Sequence, residues 1–489
     1  MSHRRKAVVV GAGPVGCLAA IMLSNHGWKV ELYEGRPDIR LPSSKAASQQ
    51  RSINLAISHR GIAAIQSVDP NAAQRFMQSV IPMRGRMIHH VDGRLDSQIY
   101  DRDGQCINSI DRTLLNEDLL QEASSSPNIR VFFEHKVQGV DFDKRVMNIR
   151  DVSQSCELDV SFDLIIGADG SYSTVRRQMM RVLRMDYQQE YIRHEYIELR
   201  MPADRDKEGR LSFALDANHL HIWPRKSFML IALPNQDYTF TCTLFAPSSE
   251  LDRLDSPDKF VNWFGTYFQD ALLAIGEQNL IKDFTHNPRS PLICTRSNPY
   301  HYKDRGIVLG DAAHSMVPFY GQGLNCGLED VRILNVLLKQ EQVSPTKTGN
   351  EADDLRLSRA LSRYSQERHK DLIAIADLAM ANYVEMRHLV TTPLYIIRKA
   401  FDNVLYSLTR GCTTSLAEHC GTLSGVEYAE GEPRGWVPLY TMVTFRPDVS
   451  YDTVRRTAEW QKRIVEAVGV TTLMCVAGVI WGLRRSKMI

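Results

Sequence analysis

The 489 residues contain no long run of one charge. Lysine and arginine total 59 against 57 acids, a net of +2, so the basic stripe of a nucleic-acid surface is missing. The nine cysteines are scattered, odd in number and without a C-x-x-C pair. The simplest reading is reduced thiols in a cytosol-facing protein rather than a disulfide framework or a zinc site. Internal repeats and low-complexity tracts are absent. The N-terminus, MSHRRKAVVV, enters a strand almost at once, leaving no room for a signal or transit peptide. Long apolar runs are missing too, with one exception near the other end. From Ala467 to Leu483 no residue is charged, a length of roughly 25 Å as helix, the low end of a bilayer span. Lys462 and Arg463 precede it; Arg484, Arg485 and Lys487 follow. A buried core helix and a membrane anchor both fit such a run. A core helix rarely lacks a polar face, so residues 464–489 are read as an anchor.

What is present is concentrated first between Lys6 and Glu34. An apolar, β-branched run (Ala7 to Val10) predicts a buried strand. GAGPVG follows, with Gly11, Gly13 and Gly16 at G-x-G-x-x-G spacing. The next segment predicts a helix with Leu18, Ile21, Met22 and Leu23 on its apolar stripe. Val30 to Tyr33 predicts a second strand, ending on Glu34. In such a unit the first glycine permits a tight turn and the second lets backbone approach a pyrophosphate. The third lets helix and strand pack closely, while the terminal acid reaches a ribose hydroxyl. The helix N-terminus offers free N–H groups to phosphate. The spacing alone is weak evidence, but with strand, helix, strand and acid all in order it predicts dinucleotide binding. It does not choose between FAD and NAD.

Further along, Ser52 to Ile57 suits a strand or a loop lining the cofactor, and His59 to Val68 a helix. In IPMRGRMIHHVDG, Arg84 and Arg86 stand two apart, so on one strand both point to the same face. With Tyr100 nearby, a guanidinium there can hold a carboxylate bidentately; a surface arginine pair fits the composition equally well. Arg112 opens an amphipathic helix. Leu164 to Ile166 predicts a strand feeding GADG (Gly167 to Gly170), a second cofactor contact of Rossmann type. From Tyr187 to Phe245 the period changes to two, predicting an antiparallel sheet, followed by helix from Pro257 to Ile275. A strand over Gly306 to Leu309 then delivers Asp311 to a turn-rich loop, Pro318 to Gly323, ahead of a helix from Leu324. His314 on that turn suits catalysis or simple packing. Helices continue to about Arg410, Gly411 to Gly435 is read as a loop, and a helix bearing Trp460 leads into the tail.

Three motifs in this order, GAGPVG with Glu34, GADG at Asp169 and GDAAH at Asp311, resemble the FAD-dependent aromatic hydroxylases, the single-component flavoprotein monooxygenases. Together they select FAD over NAD. Within that family RSINLAISHRG, IPMRGRMIH, LHIWPR, FMLIALP, FTCTLF, VPFYGQG, NYVEMR and PLYTMVTF are similar to the branch that hydroxylates L-kynurenine, from about Lys6 to Phe445. The Gly411 to Gly435 loop departs from it in length. The resemblance implies an α/β fold: a Rossmann-type FAD domain (1–185, with a substrate-contacting segment at 80–105, resuming at 296–340) and an antiparallel-sheet substrate domain (186–295). A C-terminal helical region (341–463) and the membrane tail complete it.

The resemblance also implies roles. Arg86, Tyr100, Asn382 and Tyr440 correspond to anchors of the substrate's amino-acid end. Pro318, Phe319 and Gln322 correspond to contacts with its ring and ketone. Glu34, Arg36, Ala56, Arg112, Val137, Asp169, Thr174, Asp311, Leu324 and Asn325 join the three glycines around FAD. NADPH is implied as electron donor and O2 as oxidant, without a metal or a catalytic triad, because the flavin carries the chemistry. The implied place is the outer mitochondrial membrane, facing the cytosol. A flavin hydroxylase of another aromatic acid is the alternative of the same class; a non-catalytic, membrane-anchored FAD scaffold is the alternative of another class.

Overall fold

A computed structural model describes residues 3–44, 54–347, 353–409 and 431–467. The expected loop lies outside them over 411–430, as does the tail from residue 468. Among the described residues no helix is long and apolar enough to cross a membrane.

The first domain is a six-stranded sheet. Its central strands, Lys6–Val10, Leu164–Gly167 and Gly306–Val308, are short and almost wholly buried, as strands covered on both faces must be. In space the order runs 301–302, 306–308, 164–167, 6–10, 29–33, 129–132, all parallel but for the first pair. The parallel direction has a direct consequence. Gly11, Glu34, Ala168 and Leu309 all follow the carboxyl ends of neighbouring strands, the edge where open α/β sheets bind ligands. The Pro14–Asn25 helix packs back on this sheet, closely enough that a Cβ on Gly16 would sit 1.9 Å from the Gly11 carbonyl oxygen.

The second sheet has seven strands in the order 290–298, 186–201, 240–247, 228–234, 219–225, 85–89, 95–99. The Gly85–His89 strand lies parallel to His219–Arg225, with Arg86 beside Leu220, so a segment from early in the chain completes a sheet otherwise built 100 residues later. One face of this sheet is covered by the helices Pro257–Tyr267, Gln269–Ile275 and Glu277–His286, through Phe260, Phe264, Phe268 and Trp223. The other face turns toward the first domain. A three-stranded ribbon, 54–57, 107–111 and 81–83, joins the two.

The expectation that Arg84 and Arg86 share a face is not met. Strand pairing is broken between Ile81–Met83 and Gly85–His89; Arg84 sits in the break, exposed, while Arg86 is buried. The period-two rule fails there because the chain changes sheets at that residue. Beyond the sheets, the 33-residue helix Leu355–Arg387 crosses both domains, followed by helices Pro393–Thr409, Leu439–Phe445 and one over 451–467.

Candidate active site

Between the sheets lies a cavity of about 310 Å³. Its wall runs from Gly13, Ala56, Arg112, Asp311 and Leu324 at one end, past Pro318 and Phe319, to Arg86, Tyr100 and Tyr440 at the other. The cofactor and substrate motifs of the sequence therefore face one continuous space.

At the first end the chain offers backbone. Gly11 has φ +98°, and a Cβ there would meet the Ala168 carbonyl oxygen at 2.4 Å. A Cβ on Gly13 meets nothing within 4 Å: it would project into the cavity. The Pro14–Asn25 helix has no side chain capping its N-terminus, so its first amides are free for phosphate oxygens. Glu34 is buried and accepts from the Ala12 and Arg36 amides, both at 3.0 Å, and from Arg36 Nε at 2.9 Å. Burial works against its charge, but these donors hold the carboxyl below the usual range. Asp311, exposed on the cavity wall after Gly310 (φ +57°), is free to meet hydroxyls. Open space over a glycine, an uncapped helix start and two acids at strand ends fit a dinucleotide with a polyol linker.

Other expected cofactor residues stand behind the wall. Asp169 caps the Thr174–Met179 helix, accepting from the Thr174 amide at 2.6 Å and the Ser173 hydroxyl at 2.5 Å. Asn325 is fully buried; it accepts from the Ser58 amide at 2.9 Å and donates to the carbonyls of Ala56 (2.9 Å) and Gly321 (2.6 Å). Val137 is buried at a bulge in the His135–Asp141 strand. His314 packs: it is buried, with Nε2 2.5 Å from Asp330. Cys326 approaches this pair, but Arg368 already supplies the positive charge there, 2.9 Å from Asp330 and 3.3 Å from Cys326 Sγ.

At the other end the site is built of side chains. Arg86 is 6% exposed, its guanidinium 5.0 Å from the Tyr440 ring centre and 5.6 Å from that of Tyr100. Those two rings stack at 4.7 Å, and Tyr320 lies 5.8 Å beyond Tyr440. Burial pushes all three phenol pKa values up, so each remains a neutral donor. Among the described residues the buried Arg86 Nε and Tyr100 hydroxyl have no hydrogen-bond partner, an arrangement that costs free energy unless a ligand completes it. Among the described residues the one carboxylate paired with Arg86 is Glu385, at a loose 3.4 Å, which also accepts from Tyr395 at 3.1 Å.

Glu385 and Tyr395 were not foreseen from the sequence. Glu385 had a signal: it follows Asn382 by three in NYVEMR, hence on the same helix face. Tyr395 had none. Asn382 lies behind the wall, donating to the Phe319 carbonyl at 2.7 Å, and Gln322 accepts from the Tyr451 hydroxyl at 3.0 Å. Both act on the 318–323 loop rather than face the cavity.

A cradle for FAD opening onto an aromatic pocket with a buried guanidinium defines the class, the FAD-dependent monooxygenases. The chain matches the family model of an FAD binding domain over residues 4–371. It resembles the solved 2-methyl-3-hydroxypyridine-5-carboxylic acid oxygenase with a TM-score of 0.61 at 18% identity, over 80% of this chain and 95% of the other. At that identity the likeness is one of fold. Full-length relatives are more specific. The chain is 46% identical to a kynurenine 3-monooxygenase of Cryptococcus neoformans over 96% of its own length and 94% of the relative's. It is 42% identical to that of Candida albicans (97% and 95%) and 39% to that of Saccharomyces cerevisiae (95% and 95%). The chain belongs to the kynurenine 3-monooxygenase family.

Proposed function

We propose that this protein hydroxylates L-kynurenine to 3-hydroxy-L-kynurenine, consuming NADPH and O2 and releasing NADP+ and water. The reaction belongs to tryptophan degradation and supplies a precursor for NAD synthesis. The carrying observation is the buried Arg86 with its unpartnered Nε, at the end of an aromatic pocket continuous with the FAD cradle. Bound FAD supplies the redox chemistry, accepting hydride from NADPH and activating O2. The chain's own residues bind, orient and exclude water.

Kynurenine is a zwitterionic amino acid on an aromatic ketone, and the pocket has a matching order of groups. Arg86, with the phenols of Tyr100 and Tyr440, takes the carboxylate. Glu385 gives up its loose contact with Arg86 and meets the ammonium. The aniline ring then lies toward Phe319 and Pro318. Phe319 is held rigidly there, stacked on Tyr383 at 3.8 Å and edge-on to Phe245 at 4.9 Å. The walls contributed by Leu220, Met229, Ile231 and Phe245 are apolar, which keeps water from the reacting atoms. A different aromatic acid lacking the amine would leave Glu385 without a cation, so the amino acid is favoured.

The test is NADPH oxidation by the purified protein with and without L-kynurenine, following H2O2 and hydroxylated product together. Oxidation stimulated by kynurenine and matched by product is expected. Stimulation yielding only H2O2 rejects kynurenine as substrate, and a flavin-loaded protein without any response favours the scaffold.

We further propose that residues 464–489 anchor the enzyme in the outer mitochondrial membrane, catalytic part toward the cytosol. The uncharged Ala467–Leu483 run, with Lys462 and Arg463 before it and Arg484, Arg485 and Lys487 after it, supports this, as does the helix over 451–467 that leads into it. Truncation before Ile464 is expected to move the protein from membrane to soluble fraction. A truncated protein that stays with the membrane rejects the anchor.

A further inference from the structure

Tyr440 reaches the substrate end from the seven-residue helix Leu439–Phe445, too short to hold its own position. The last carbonyls of any helix lack intrahelical donors. Here two of them are met by a side chain from a neighbouring helix, distant in sequence. Arg60, in the His59–Val68 helix and 1% exposed, donates through Nε to the Val443 carbonyl at 2.6 Å. Its Nη2 donates to the carbonyls of Met442 (3.2 Å) and Val449 (2.6 Å). The charge is balanced by Glu329 at 3.0 Å, and the guanidinium lies 4.0 Å over the Tyr451 ring. Arg332, bonded to the same Glu329 oxygen at 2.9 Å, takes the Pro447 carbonyl at 2.9 Å.

A fully buried arginine is an expensive way to fill a core, and apolar residues of similar volume often do as well or better. What no apolar residue can do is grip three carbonyls at once. A planar guanidinium has that fork; a lysine ammonium does not. The gripped carbonyls lie two, three and nine residues beyond Tyr440. The hydroxyl of Tyr451, two residues past Val449, reaches Gln322 in the 318–323 loop. The same backbone turn thus sits between the substrate's carboxylate end and its ring end. We propose that Arg60 is a positioning residue for substrate binding: it holds the 442–449 turn so that Tyr440 stands against Arg86 and Tyr100.

The inference rests on the kynurenine reading above and is tested in flavin-loaded, full-length enzyme by a double-mutant cycle. Arg60→Lys keeps a charge beside Glu329 but gives up the fork. It is expected to retain FAD, to raise KM for L-kynurenine about tenfold with kcat within about twofold, and to divert more NADPH oxidation to H2O2. Combined with Tyr440→Phe it adds little to the effect of Tyr440→Phe alone, because both act on the same phenol. An unchanged KM for Arg60→Lys, or strictly multiplicative effects in the pair, overturns the inference while leaving the function intact. Should Arg60→Lys lose its flavin, Arg332→Lys, which releases only the Pro447 carbonyl from the same turn, is put through the same cycle with the same criterion. Failure of the unmodified enzyme to turn over kynurenine overturns both readings.

Discussion

The two ends of the cavity are built by different means. The cofactor end is mostly main chain: glycines that permit close approach, uncapped helix amides, and acids delivered by strand ends. Most of it comes from Lys6 to Glu34, with Ala168 and Asp311 added by the neighbouring parallel strands. The end proposed for the substrate is built of side chains, from Arg86, Tyr100, Tyr320, Glu385, Tyr395 and Tyr440, which span over 350 residues of sequence. A backbone site tolerates many side chains but almost no change in the path of the chain. A side-chain site tolerates changes of path elsewhere but not the loss of one group.

That difference can be broken most severely at Gly16. A Cβ there falls 1.9 Å from the Gly11 carbonyl, so Gly16→Ala is expected to destabilise the fold by at least about 3 kcal/mol and to yield flavin-free protein. Gly13→Ala sharpens the contrast. Its Cβ has open space, so thermal unfolding without FAD should shift by no more than about 0.5 kcal/mol, while a flavin fluorescence titration shows weakened FAD binding. A Gly13→Ala protein with unchanged FAD affinity would remove that loop from the pyrophosphate site.

At the other end the largest effect is expected from Arg86→Ala, which should weaken kynurenine binding by about 2–4 kcal/mol with flavin content unchanged. Flavin absorbance titrated with substrate measures it; wild-type affinity would detach Arg86 from the substrate. The smallest effect concerns Lys399. Burial, and then the charge of Arg86, bring its ammonium down to about 8. It is therefore charged below pH 8 and adds to the field that attracts a carboxylate; as pH rises through 8 that charge is lost. Kynurenine affinity should decline across this range by about 0.5–1 kcal/mol, and Lys399→Met should flatten the profile. A decline that survives in Lys399→Met assigns it to another group.

Legibility followed the same division. The strand, glycine turn, helix and strand around GAGPVG stand where the residues predicted them, as does the helix His59–Val68, because these depend on local periodicity and turn chemistry. Arg84 does not share the face of Arg86, because strand alternation assumes one uninterrupted strand and the chain crosses between sheets at that residue. In the GADG turn, Ala168 and Gly170 line the cavity while the Asp169 carboxylate accepts from the first amides of the next helix; a turn rich in glycine and acid serves both uses. Asn382 and Gln322 carry motif positions but brace the wall loop 318–323 from behind, a distinction no spacing reveals.

By itself the sequence determined the cofactor chemistry. Pyrophosphate recognition needs a tight turn, a bare backbone and a helix start in immediate succession, and these are adjacent in the chain. Only the tertiary structure decided how the pocket proposed for the substrate is assembled. The pairing of Gly85–His89 with His219–Arg225 brings Arg86 inward. The Leu355–Arg387 helix brings Glu385 to it, and Arg60 sets the turn that carries Tyr440. Each of these is a contact between residues more than 100 positions apart, and at such separations burial and packing choose the neighbours.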